Sequence, residues 1–191
     1  MSRDLLKVFS AQKGYLQSKQ LKSRSQRNRL NELVASGVVT MVKRGLYKHI
    51  DFVADDDVWA DVCRIVPNGV ICLFSAWQYY GLTTHIPSNY HMAIPNKSKV
   101  VLPPFPPIKI YYWSHNYYDL GKVRNDEITI YTIEKSVCDA IRYRNKVGKD
   151  IATEVLKNYV KRSDKNIDIL LKYAKSLRVE NTLMHYMEVL V

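Results

Sequence analysis

The sequence predicts an α+β protein, and three observations carry the prediction. A basic helical stripe near the N-terminus runs into two alternating segments joined by Arg44-Gly45. Four short apolar segments bounded by turn residues cross the middle of the chain. Four amphipathic helical stripes then follow one another from Ile133 onward. With 191 residues, 47% of them hydrophobic and 25% charged, the composition is that of a globular protein of one large or two small domains. No apolar run approaches the roughly 20 residues that span a bilayer, and the N-terminus lacks an apolar signal segment, so a cytoplasmic protein is expected.

Leu5, Leu6 and Phe9 sit at helical spacing and predict a helix over Asp4–Ala11, capped by Ser2 and ended by Gly14-Tyr15. Leu16 and Leu21 predict a short second helix that Ser18 caps. Ser23 or Ser25 opens a third helix with Leu30, Leu33 and Val34 inward, and Gly37 suits the left-handed position just past its end. At 100° per residue, Asn28 and Glu32 point away from that apolar stripe, flanked by Arg24, Ser25, Arg29 and Asn31. Val38–Val42 and Leu46–Ile50 alternate about the Arg44-Gly45 turn, where glycine supplies the positive φ of a tight hairpin. Helices followed by such a hairpin predict a winged helix-turn-helix over residues 1–52.

Asp51–Asp57 reads as an acidic connector whose carboxylates favour the start of a helix over Asp57–Ile65, with Val58, Trp59, Val62 and Ile65 inward. Pro67-Asn68-Gly69 turns into a strand, Val70–Leu73, and Ser75 is placed to cap a short helix ended by Gly81. Further strands are expected at Tyr90–Ile94, Ile108–Trp113 and Ile128–Tyr131. The four prolines of Val100–Pro107 make an extended connector, and Ser114–Glu127 reads as a surface loop with Tyr117-Tyr118 against the sheet. Stripes led by Ile133, Ile151, Ile167 and Leu183 make a four-helix unit. Residues 53–191 are thus expected to form a mixed α/β domain with a small sheet and this C-terminal four-helix unit.

Charge separates the two parts. The chain carries +11, and residues 1–50 hold eleven of the 29 Lys/Arg against two of the 18 acids, so they account for +9 and the remainder for +2. A polyanion partner for the N-terminal part follows more directly than general solubility, although a solvated basic face has the same composition. A helix lying on DNA uses its N-terminal residues, which makes Arg24, Ser25, Asn28 and Arg29 the contact set, with Gln26 and Arg27 at its margin. Lys43 and Arg44 at the hairpin tip, with Lys48 behind them, are expected against the phosphate backbone of double-stranded DNA. A basic helical knob docking on an acidic protein is the alternative.

Signs of catalysis are few. The five histidines are scattered without ligand spacing, and no phosphate-binding glycine loop or nucleophile elbow occurs. Glu134-Lys135 could stand in a nuclease or nucleotidyltransferase centre, but the strands bring no further carboxylates and a capping role explains Glu134. Cys63, Cys72 and Cys138 lie in apolar contexts and are expected as buried free thiols. No enzyme activity, cofactor or metal is expected.

Three segments resemble one family. They are the basic helix with VKRGLYKH at Val42–His49, ICLFSAWQYYGLTTHIPSNYHMAIP at Ile71–Pro95, and TIEKSVCDAIRYRNKVGKDIATEVL at Thr132–Leu156. Together with the helical tail they are similar to the AbiEi antitoxins of type IV toxin–antitoxin systems, regulators linked to antiviral defence. The resemblance implies an N-terminal domain that binds its own promoter and represses its operon. It also implies a C-terminal domain that counteracts a nucleotidyltransferase-like toxin without a stable complex.

Overall fold

The computed structural model describes residues 2–52, 58–125 and 127–190, and side chains over 5–52, 58–125 and 127–189. The Ser2 cap and the Asp55–Asp57 carboxylates invoked above fall outside these. The chain is α+β and divides into two compact units, Met1–Pro67 with Val101–Pro106, and Asn68–Val100 with Pro107–Val191.

In the first unit, α1 (Ser2–Ala11) is followed by β1 (Tyr15–Gln17), a 3-10 turn (Ser18–Gln20), α2 (Arg24–Ala35), the hairpin β2 (Val39–Lys43) and β3 (Leu46–His49), and α3 (Val58–Ile65). The short second helix expected at Leu16–Leu21 is corrected to a strand and a single 3-10 turn. The reason is a partner remote in sequence: β1 pairs antiparallel with β3, Leu16 opposite Tyr47, giving a three-stranded sheet ordered β1-β3-β2. Leu5, Phe9, Leu16, Leu21, Leu30 and Val39 form its core, with Leu33, Val34 and Tyr47 packed against them. Ser23 caps α2, its Oγ accepting from the Gln26 amide, and Gly37 follows the helix at φ +77°. Gly45 turns the hairpin at φ +81°, and its carbonyl accepts from the Ser18 amide at 2.8 Å, which holds the turn against the 3-10 segment.

The boundary expected at 52/53 lies before α3, whereas the compact units divide after Pro67. Side chains explain why α3 stays with the first unit. Asp61 accepts from the Tyr15 hydroxyl at 2.6 Å and from Lys48 Nζ at 2.9 Å, and Lys43 Nζ donates to the Ile65 carbonyl at 2.6 Å.

The second unit has a mixed five-stranded sheet ordered β6-β5-β4-β8-β7, from β4 (Val70–Ile71), β5 (Tyr90–Pro95), β6 (Ile108–Trp113), β7 (Lys122–Asn125) and β8 (Ile128–Tyr131). Two expectations change here. Ser114–Glu127 is not simply loop: it contains α5 (His115–Asp119), which buries Tyr117 and Tyr118, and the edge strand β7 paired with β8. Ser75 does not cap the helix that follows β4. Helix α4 (Leu73–Tyr79) starts three residues earlier with Cys72 as its N-cap, and the buried Ser75 Oγ accepts the His91 amide of β5.

The four C-terminal stripes form α6 (Ile133–Val147), α7 (Lys149–Val160), α8 (Ile167–Ser176) and α9 (Glu180–Leu190). Thr132 caps α6 and Asn166 caps α8 through their side chains. Residues Glu134–Ile141 of α6 are buried without interruption, and α6 packs against α4, α7, α8 and α9, so it is the axis of this unit. Trp77 of α4 is locked to it, its indole N–H donating to the Ser136 carbonyl at 2.8 Å. All three cysteines are buried and free. Among the described residues no helix is long and apolar enough to cross a membrane.

Candidate nucleic-acid interface

The residues singled out on α2 are brought together on one exposed surface. Arg24, Ser25, Arg27, Asn28 and Arg29 are all solvent-exposed in its first half, while Leu30 is buried beneath them. Gln26 is half-buried and partly committed to local structure: its amide caps to Ser23 and its Oε1 accepts from the Lys22 amide at 2.7 Å. Its NH2 group stays available as a donor.

Arg29 is paired. Its Nη1 lies 2.6 Å from Glu32 Oε2, one turn along an exposed helix face, so this carboxylate occupies one of the arginines expected at the contact. An exposed pair of this kind is weak, about 0–1 kcal/mol, and a phosphate competes with it readily. Among the described residues Arg24, Arg27 and Arg44 have no acidic partner.

The three hairpin cations do not share one fate. Arg44 is exposed at the turn. Lys43 is half-buried, donates to the C-terminal carbonyl of α3, and burial lowers its ammonium below the usual lysine range. Lys48 stands opposite Tyr15 in the β1–β3 register, and both reach Asp61, while the Arg64 guanidinium lies 4.6 Å from the Tyr15 ring centre. Lys43 and Lys48 therefore fasten α3 to the sheet, leaving the hairpin's outward charge to Arg44.

Lys19 and Lys22, counted in the sequence only as charge, are exposed in the segment that leads into α2. Periodicity placed Lys19 in the expected second helix and Lys22 just after it, and so gave them no particular role. Because the Gly45 carbonyl is bonded to the Ser18 amide, Lys19 belongs with the hairpin turn as well as with the start of α2.

The constellation at Glu134-Lys135 has a different character. Lys135 Nζ lies 2.6 and 2.8 Å from the two carboxylate oxygens of Asp139, with both side chains fully buried. The ammonium also lies 4.7, 3.9 and 4.5 Å from the ring centres of Trp113, Tyr117 and Tyr131, and the Tyr117 hydroxyl donates to Asp139. Burial and the Asp139 charge push the Tyr117 phenol far above its ordinary range. Glu134 is buried beside the Tyr159 hydroxyl, 3.4 Å away. These groups are enclosed by their own helices and strands, and the arrangement is a satisfied internal ion pair. Among the described residues no three His, Cys, Asp or Glu side chains converge to hold a metal.

No family model matches the chain, and no curated protein matches it significantly.

Proposed function

We propose that this chain is a DNA-binding regulator that represses its own promoter and serves as the antitoxin of a type IV toxin–antitoxin system. In this reading the first unit is a winged helix-turn-helix. The carrying observation is that Arg24, Ser25, Arg27, Asn28 and Arg29 are exposed together at the start of a capped helix, with Arg44 at the following hairpin turn. A helix presented this way offers donors for guanine and adenine edges and amides for phosphate. The order α1, β1, 3-10 turn, α2 and hairpin supports the same reading.

The antitoxin half rests on the resemblance of Ile71–Pro95 and Thr132–Leu156. It supplies a partner class, a nucleotidyltransferase-like toxin neutralised without a stable complex. Binding of the full chain to duplex DNA from its own promoter, followed across salt concentrations, tests the first half. Affinity falls steeply and log-linearly with salt as counterions are released, and a salt-independent Kd would overturn the reading. Growth rescue on co-expression with a neighbouring nucleotidyltransferase-like gene product, without co-purification, tests the second; toxicity unrelieved by this chain sinks it.

One observation favours a second reading, a protein-docking module. Leu6 of α1 and Phe52 are both partly exposed and line one shallow depression with Lys7. A stoichiometric complex with an acidic partner, formed while promoter DNA goes unbound, would carry that reading instead.

A further inference from the structure

We propose that the second unit carries a binding site for a phosphate monoester of mononucleotide size, in the cleft between the end of α6, the start of α7 and one face of α9. The cleft is about 440 Å³, within the usual range for small-ligand sites. Its position follows from Gly148, which ends α6 and begins α7 at φ +106°, so that one helix turns directly into the next. Arg144 and Asn145 in the last turn of α6 and Lys149 in the first turn of α7 therefore come to the same rim. Across from them, α9 contributes Thr182, His185 and Tyr186, which share a face at i, i+3 and i+4.

The chemistry of this set is one-sided. Arg144 and Lys149 bring a guanidinium and an ammonium, Asn145, Thr182 and Tyr186 bring further donors, and no described lining residue is acidic. Arg144 uses one Nη1 bond on the Ile141 carbonyl of its own helix, which orients the guanidinium and leaves the rest of its fork open. α7 starts on a glycine with no side-chain cap, so its first amides have no side-chain acceptor there. Asp150, in that first turn, lies against Gly148 and does not line the cleft. A doubly charged group with three acceptor oxygens matches two cations and several neutral donors better than a single carboxylate does. Tyr186 and Val189 give the rest of the ligand an apolar wall.

Titration of the isotope-labelled full chain with AMP, inorganic phosphate and adenosine tests the site. AMP is expected to saturate and to shift resonances of α6 residues 144–147, the start of α7, and α9, with phosphate weaker and adenosine silent. Lys149 is exposed, so Lys149→Ala keeps the fold and weakens AMP binding about fivefold or more, and Arg144→Ala with Lys149→Ala weakens it about tenfold or more. Arg27→Ala leaves it unchanged. Adenosine binding as tightly as AMP, AMP shifts centred on α2, or a Lys149→Ala variant that binds like wild type would overturn the proposal. So would promoter DNA occupying the same cleft and losing affinity in Arg144→Ala. These outcomes are separate from the promoter-binding test, since the site lies wholly within the second unit.

Discussion

Lys48 on β3 and Asp61 on α3 form an ion pair at 2.9 Å with side chains only 12% and 13% exposed. A lysine at the base of the hairpin is thereby turned inward, and the Tyr15 hydroxyl completes the carboxylate's bonding. Breaking one side of a pair this sheltered leaves the other charge poorly solvated. Asp61→Ala is expected to cost about 2–3 kcal/mol in chemical denaturation of the first unit, and Lys48→Met with Asp61→Leu to recover most of it. Lys48→Met alone should leave the salt dependence of DNA binding unchanged. A lower salt slope in that variant would return Lys48 to the phosphate backbone.

The α2 arginines behave otherwise because they are exposed. Arg27→Ala and Arg44→Ala are each expected to leave the thermal midpoint within about 2 °C and to lower the salt slope of promoter binding by about one. Arg29 is distinguished by Glu32. Glu32→Gln releases it and removes a negative charge from the face, so promoter affinity is expected to rise about two- to fivefold, read by fluorescence anisotropy. Unchanged or weaker binding in Glu32→Gln would place Arg29 outside the interface.

The buried Lys135–Asp139 pair sets the order of the second core. Lys135→Met leaves the fully buried Asp139 carboxylate without its ammonium and is expected to cost about 3–5 kcal/mol, whereas Lys135→Met with Asp139→Leu loses much less. Gly121 depends on the same lysine. A Cβ there would lie 2.8 Å from Lys135 Cβ on a backbone at φ +69°, so Gly121→Ala is expected to cost about 2 kcal/mol or more. Gly37→Ala, with positive φ but open space, should cost about 1 kcal/mol. Near-ultraviolet circular dichroism across a urea titration reads both.

Acid sensitivity is expected from His91. Burial, then the Lys109 and His85 charges, lower its imidazole to about 4, and its Nδ1 lies 3.0 Å from the Tyr111 hydroxyl. In the native state the ring is neutral, while the unfolded chain protonates it near 6.5. The unfolded state therefore binds the extra proton between these values, and stability falls as pH drops from about 6.5 to about 4, by at most ~3 kcal/mol. His91→Phe should flatten that slope whatever its effect on stability at neutral pH, and an unchanged slope would assign the acid sensitivity to another group.

The α2 surface was largely legible in the sequence, because a helix face is set by spacing alone once Leu30, Leu33 and Val34 define inward. The hairpin's cations were not. Lysines in a short hairpin read as surface side chains, and nothing local shows that Lys43 and Lys48 can each reach α3. The strand at Tyr15–Gln17 was missed for a similar reason, since three residues carry no period and Leu16 and Leu21 fit a helix equally well. Ser75 was misread because serine before an apolar run suits a cap, while its acceptor role depends on the His91 amide of a different strand.

By itself, the sequence determined the α+β class, α1, α2, the hairpin, four of the second sheet's strands and the four C-terminal helices. Each of these is written in apolar periodicity, caps and turn glycines, which act within a few residues. Only the tertiary structure decided that β1 pairs with β3, that α3 belongs with the first unit, that β7 closes an edge, and that Lys135 is enclosed. These depend on partners far along the chain, whose distance from one another no local spacing encodes.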